Sequence, residues 1–181
     1  CGDGPQTAAF AAGGYLGPPG ANSNAYEQYS GDSWSSSTNL PSVRRWSVGN
    51  GTQTAALVTG GETAPGTQLT TTDEWNGSSW TSSGAYPTNM SAGASGGTQT
   101  AALAYAGRAP SYLAVTSGYD GSTWSTRPNM ATARSMVAGT GITTSAYVTG
   151  GEAPGSPPLQ SITEEFTGKT TTANVADFTT S

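Results

Sequence analysis

The stretch Gly51-Thr52-Gln53-Thr54-Ala55-Ala56-Leu57-Val58-Thr59-Gly60-Gly61 decides the fold, because the chain says it four times. It returns as Gly97-Thr98-Gln99-Thr100-Ala101-Ala102-Leu103. It returns more loosely as Gly4-Pro5-Gln6-Thr7-Ala8-Ala9-Phe10 followed by Gly13-Gly14, and as Gly141-Ile142-Thr143-Thr144-Ser145-Ala146-Tyr147 closed by Gly150-Gly151. The leading glycines stand 47, 46 and 44 residues apart. A fixed period of this length means an array of one supersecondary unit. The repeats run approximately over residues 1–42, 43–90, 91–131 and 132–181 of one domain.

Outward from this stretch, the periodicity is of the strand type and no segment carries a helical period. Residues 6–12, 52–59, 98–105 and 142–149 read as strands of small residues closed by glycine. Loops rich in Pro and Gly follow. A second strand then ends in an aromatic residue: Tyr29, Trp75, Tyr119 or Phe166. Asn76-Gly77, Asp120-Gly121, Thr167-Gly168 and Gly31-Asp32 read as tight two-residue hairpin turns. The strand after them carries Trp34, Trp80 or Trp124. A last strand runs through Arg44-Arg45-Trp46-Ser47-Val48, Ala92-Gly93-Ala94 or Arg134-Ser135-Met136-Val137-Ala138 and closes at the Gly-x-Gly of the next copy. Four antiparallel strands in about 45 residues predict a blade of an all-β propeller.

Composition narrows the function. The 181 residues are 9% charged and 34% hydrophobic, with 26 Gly and 11 Pro. Disorder goes with high charge and few aromatics, whereas here five Trp recur in register. The net charge is −5 and the six Lys and Arg are scattered, which argues against a nucleic-acid partner. No apolar run is long enough for a membrane span. The single cysteine, Cys1, rules out a disulfide within the chain. Cys1 suits either the lipidated residue of a lipoprotein or a fragment or processed chain. The alignment of Gly2-Asp3-Gly4 with Gly49-Asn50-Gly51 puts Cys1 inside a repeat at the place of Val48, which favours the second.

The layout of an Arg-bearing strand, a small-residue strand ending in Gly-Gly, an aromatic before a tight turn and then Trp resembles the kelch repeat of β-propellers. Departures are Ala106-Gly107 for the glycine pair, no Arg in the Ser91 to Gly96 strand, and Lys169-Thr170-Thr171 where a Trp is due. The wording of Gly-Thr-Gln-Thr-Ala-Ala-Leu and Asp73-Glu74-Trp75-Asn76-Gly77-Ser78-Ser79-Trp80 is similar to the kelch-like repeat proteins of aquatic bacteriophages. That resemblance implies a virion or tail-fibre component, hence a virion or extracellular location. Closure of the propeller by strand exchange of the termini is expected, with Cys1, Val175 and Phe178 as candidate assembly residues. Strand exchange between chains would give a ring or a fibre.

Chemistry is sparse. With no histidine, Ser-His-Asp and Cys-His nucleophile systems and most zinc and copper sites are excluded. The His-dependent copper oxidases that the kelch resemblance brings to mind go with them. Asp73-Glu74 and Glu164-Glu165 recur before equivalent aromatics, with Glu27 in a similar place, and read as strand-edge or turn residues rather than a glycosidase pair. Tyr119 to Trp124 resembles the sialidase Asp-box with its Asp–Gly spacing one residue short. Trp34, Trp80 and Trp124 read as packing residues, and Trp46 and Tyr86 as exposed ones. No cofactor, metal site or catalytic residue is expected.

Recognition is expected on the variable loops between second and third strands. The candidate ligand-binding residues there are Tyr15, Glu62, Arg108, Tyr112 and Glu152. The expected function is a non-enzymatic structural and binding module. Its partners would be further copies of itself, neighbouring virion proteins, or a host surface glycan or protein. A secreted or lipid-anchored adhesin is the alternative reading. A glycan-active enzyme would require catalytic groups from further blades.

Overall fold

The computed structural model describes residues 1–17, 20–63, 66–155 and 159–168. Val175, Phe178 and the whole 169–181 segment, to which closure of the ring was assigned, lie outside the described residues. The described chain is all-β: three four-stranded antiparallel sheets, one three-stranded sheet and a short two-stranded hairpin. The architecture is that of a β-propeller with four blades.

Blade 1 holds β1 (Gly2–Asp3), β2 (Ala9–Leu16), β3 (Ala21–Tyr29) and β4 (Trp34–Ser36) in that spatial order. Blade 2 repeats it with β5 (Val48–Thr52), β6 (Ala55–Thr59), β7 (Thr72–Trp75) and β8 (Trp80–Ser82). Blade 3 opens with β9 (Ala94–Thr98) and β10 (Ala101–Tyr105). It is interrupted by the hairpin of β11 (Arg108–Ala109) and β12 (Ser111–Tyr112), then closes with β13 (Thr116–Tyr119) and β14 (Trp124–Arg127). Blade 4 shows β15 (Ala138–Ile142), β16 (Ser145–Thr149) and β17 (Thr163–Thr167).

Two strand boundaries differ from the sequence reading. The Gly-x-Gly lies inside the first strand, not after it: Gly49 faces Val58 and Gly51 faces Ala56. The turn to the second strand is therefore Gln53-Thr54, and that strand begins at Ala55 rather than Thr52. The arginine-bearing segment precedes the first strand as a linker. The register of Cys1 agrees with the repeat, since Gly2 pairs with Ala11 as Gly49 pairs with Val58.

The third-to-fourth connection is also longer than read. Trp75 pairs with Trp80, so the loop is four residues, Asn76 to Ser79. Asn76 Oδ1 accepts the amides of Ser78 (3.0 Å) and Ser79 (2.9 Å), while Gly77 takes the left-handed conformation. Side-chain capping, not two consecutive positive φ angles, makes this turn. Asp120 does the same: the Thr123 and Ser122 amides and hydroxyls hold its exposed carboxyl well below the usual carboxylate range.

The first strands line the axis in succession, β1 beside β5, β5 beside β9 and β9 beside β15. At the β9–β15 contact the approach is close: a Cβ on Gly96 would lie 2.5 Å from the Gly141 amide nitrogen. Between the blades lies the core. Phe10, Ala12 and Tyr26 of blade 1 meet Ala56, Val58 and Trp75 of blade 2. Leu57 meets Ala102 and Tyr119 across the next junction, and Leu103 and Tyr105 meet Ala146 and Val148 across the third. Trp80 packs on Tyr26 and Trp75, and Trp124 on Tyr86 and Tyr119, as packing residues should. Trp34 stacks on Tyr29 but is otherwise exposed. Tyr86, read as exposed, is buried, its hydroxyl donating to the Ala104 carbonyl at 3.1 Å.

The repeated motif proves to be a clamp. Gln53 Nε2 reaches into blade 1 and donates to the carbonyls of Ala9 and Tyr29, one rung of β2 and β3. Gln99 does so in blade 2, to Ala56 (3.1 Å) and Trp75 (2.7 Å). Thr143 replaces it in blade 4. The glycine pair serves the same junctions: the amides of Gly14, Gly61 and Gly107 donate to the carbonyls of Arg44, Met90 and Arg134 in the following blade. The first member of each pair is left-handed, with φ of 62° at Gly13, 64° at Gly60 and 66° at Gly150. Ala106 holds the same conformation at 62°, so the glycine missing from the third copy costs the fold no geometry there.

The interblade tyrosines give a pH dependence. Burial, and for Tyr119 also its hydrogen bond to Glu74, pushes Tyr86, Tyr105 and Tyr119 up to about 12 from an ordinary 10.0. An acid whose folded pKa is raised contributes stability that is whole below its unfolded pKa and is lost as pH rises through the folded one. The urea midpoint is thus expected to be steady up to pH 10 and to fall between pH 10 and 12. Absorbance of tyrosinate followed alongside should show a late-titrating class that appears only with unfolding. A midpoint flat across that window would contradict the assignment.

Candidate functional site

Tyr15, Glu62, Arg108 and Glu152 occupy one position in four blades, each directly after the glycine pair or its equivalent. They belong to four separate blades, and Tyr15 and Glu62 share one neighbour, Arg45. Glu62 is buried, and its carboxylate holds Arg45 Nη2 at 2.8 Å and accepts Gln68 Nε2 at 3.4 Å. Arg108 is half-buried and exchanges backbone hydrogen bonds with Ser91, while Tyr112 stands opposite it in the β11–β12 hairpin. Glu152 pairs through its backbone with Ser135. Tyr15 projects from the end of β2 and is exposed.

Arg45 joins two of these positions and was not among the expected site residues. Its guanidinium lies 5.0 Å from the Tyr15 ring centroid and 4.1 Å from that of Trp46. Both rings remain open to solvent. Together with Gly14, Ser47, Ala92, Gly93, Met136 and Cys1 they line a groove of about 370 Å³ at one mouth of the axis. The Cys1 thiol accepts a 3.5 Å contact from Ser47 Oγ at the groove's floor.

The linkers before the first strands build this mouth. Trp46, Ala92 and Met136 occupy equivalent places with φ of 55°, 54° and 52°. The Ala92 amide donates to the Trp46 carbonyl (2.8 Å), and the Met136 amide to that of Ala92 (2.7 Å). A left-handed bulky residue is strained. Here the strain buys a backbone stitch from blade to blade and tips Trp46 and Met136 outward. The sequence signal was present in Trp46, which breaks the tryptophan pattern. Its neighbourhood was read as strand, which hid the linker.

Electrostatically the platform is closed. Glu62 neutralises Arg45, and the two rings cover the guanidinium, so the site offers flat aromatic surface with polar rims rather than a free cation. Among the described residues no group of three or more His, Cys, Asp or Glu is disposed to hold a metal ion. Asp73 and Glu164, read as turn or edge residues, are instead the partners of the buried Arg44 and Arg134. Among the described residues no helix is long and apolar enough to cross a membrane.

No protein-family model matches the sequence. No curated protein sequence matches it either. The fold is shared with solved structures, 137 chains in all. One of these is YjhT, a β-propeller, similar with a TM-score of 0.72 at 12% identity over 86% of this chain and 62% of that one. The chain thus spans less than two thirds of YjhT's length. At this identity the likeness is one of fold.

Proposed function

We propose that the chain is a non-enzymatic structural and binding module of the virion or tail-fibre kind, which assembles through its blades and engages a surface glycan with its loop face. The observation that carries the binding half is Arg45 held between the open rings of Tyr15 and Trp46 beside the axial groove. Trp, Tyr and Arg are the residues that dominate binding energy at interfaces. Aromatic rings pair an apolar face with a polar rim, which suits the alternating C–H faces and hydroxyls of a sugar. The neutralised guanidinium favours an uncharged ligand over a polyanion. The sequence resemblance to phage kelch-like repeats supports the virion setting, and the chain's lack of histidine supports a non-catalytic role.

The test is binding of the protein to immobilised surface polysaccharides and glycans. Trp46→Ala and Tyr15→Ala should each weaken retention about tenfold or more, the size of a hot-spot truncation. Both side chains are exposed, so the urea midpoint should move little. Retention that is absent, or unchanged in both variants, would remove this reading.

A further inference from the structure

The groove beside Tyr15, Arg45 and Trp46 has an inner part that the aromatic platform leaves unused. Trp46, Ala92 and Met136 hold equivalent places in three successive linkers, joined by the backbone stitch. Backbones hydrogen-bonded side by side stand about 4.8 Å apart, so Trp46 and Met136 are separated by about twice that, with Ala92 between them. Trp46 is 40% exposed and Met136 50%, Ala92 is half-buried, and all three line the same groove. Where blades 2 and 4 present an indole and a thioether, blade 3 presents a single methyl group. A methyl between two large side chains makes a slot.

The slot is apolar with one polar edge. An aromatic ring and a thioether are polarizable surfaces that pack well against a small apolar group. The nearest cation, Arg45, lies against the rings of Tyr15 and Trp46 and is neutralised by Glu62. Ser47 follows Trp46 in the same linker and lines the same groove. Its Oγ donates toward the Cys1 thiol at 3.5 Å, and a hydroxyl that donates its proton keeps two acceptor lone pairs. The ligand group that matches is short, uncharged, ends in a methyl and carries an N–H. An acetamido substituent has all four properties.

We infer that the slot over Ala92 takes the acetamido group of an N-acetylhexosamine. The sugar ring lies on the aromatic platform, the acetamido methyl enters between Trp46 and Met136, and its N–H donates to Ser47 Oγ. Ala92 sets the specificity, because its small side chain is what admits the group. The inference rests on the glycan reading above and narrows it to N-acetylated sugars. A 6-deoxy sugar would bring a methyl without the N–H, and an unsubstituted hexose would bring neither.

The experiment is retention on immobilised chitotetraose and cellotetraose, which differ only by an acetamido group in place of one hydroxyl on each ring. The wild-type protein should be retained about tenfold better on chitotetraose, the size of one buried methyl and one hydrogen bond together. Ala92→Met fills the slot with the side chain that Met136 already carries in the same left-handed conformation, at φ of 52° against 54°. The urea midpoint should therefore hold, while the ratio should fall to within about twofold of unity. Met136→Ala removes one wall at an exposed position and should lower the ratio about threefold or more. Equal retention of both tetramers by the wild type, or an unchanged ratio in either folded variant, would overturn the inference and leave the glycan reading standing. Wild-type protein that ignores both tetramers would overturn it too. Retention on some other glycan that is lost in Trp46→Ala would then still uphold the broader reading, so the two fail separately.

Discussion

Arg44→Met should cost about 3–5 kcal/mol of unfolding free energy, the toll for stranding a buried charge. Arg44 and Asp73 are both almost wholly buried, and the guanidinium Nη2 donates to the Asp73 carboxylate and, at 3.0 Å, to Ser42 Oγ. Without Arg44, only Ser82 Oγ at 2.9 Å remains on Asp73. The pair itself is not well satisfied, because Arg44 Nε and Nη1 have no hydrogen-bond partner. Removing both charges should therefore cost far less than removing one. The third repeat shows the alternative in place: Met90 and Ser117 occupy the rungs of Arg44 and Asp73, and both are buried. Arg44→Met with Asp73→Ser should recover most of the loss, to within about 1.5 kcal/mol of wild type, as volume-matched core exchanges do. Urea unfolding of the two single variants and the double variant measures the cycle. A double variant as unstable as Arg44→Met would mean that the ion pair, and not the burial, holds the linker.

The second large effect belongs to the axis. Gly96→Ala would put a Cβ 2.5 Å from the Gly141 amide nitrogen and 2.7 Å from its carbonyl oxygen. Both atoms are backbone of β15, so no side chain can swing away. Blade 4 must back off from blade 3, opening the junction of Leu103 and Tyr105 with Ala146 and Val148. Overpacking of this kind costs about 1–3 kcal/mol, and the partly lost junction adds to it. Gly17→Ala is the control, for nothing lies within 4 Å of that site and it is exposed. It should change stability by less than about 0.5 kcal/mol. If Gly96→Ala were as silent as Gly17→Ala, the inner strands would not pack as described.

The repeat made the blades legible, because the glutamine, alanine and glycine positions recur at a nearly fixed period. It even fixed the place of Cys1 in its strand. What it concealed was the role of each recurring residue. Gln53 and Gln99 read as part of a strand, yet they sit in turns and clamp the preceding blade, a task visible only once two blades stand side by side. Asp73 and Glu164 read as edge residues because their arginine partners are about 30 residues away in sequence. Tyr86 broke the repeat and so looked exposed, although it fills the space beside Trp124. The platform was half legible: Tyr15 follows from the loop pattern and Trp46 from its departure from the repeat. Arg45, held by Glu62 and lying against both rings, sits in a linker where the sequence predicts an arginine-bearing strand. The structure thus separates a repeated scaffold from a site made where the repeat is broken.

That separation is measured most directly by retention on immobilised glycans together with the urea midpoint, for Trp46→Ala and Gln99→Ala side by side. Trp46→Ala should lose retention and keep its midpoint. Gln99→Ala, which gives up two interblade hydrogen bonds, should lose about 1–2 kcal/mol and keep its retention. If instead Gln99→Ala abolished retention while folded, or Trp46→Ala bound as the wild type does, the division between scaffold and site would be contradicted.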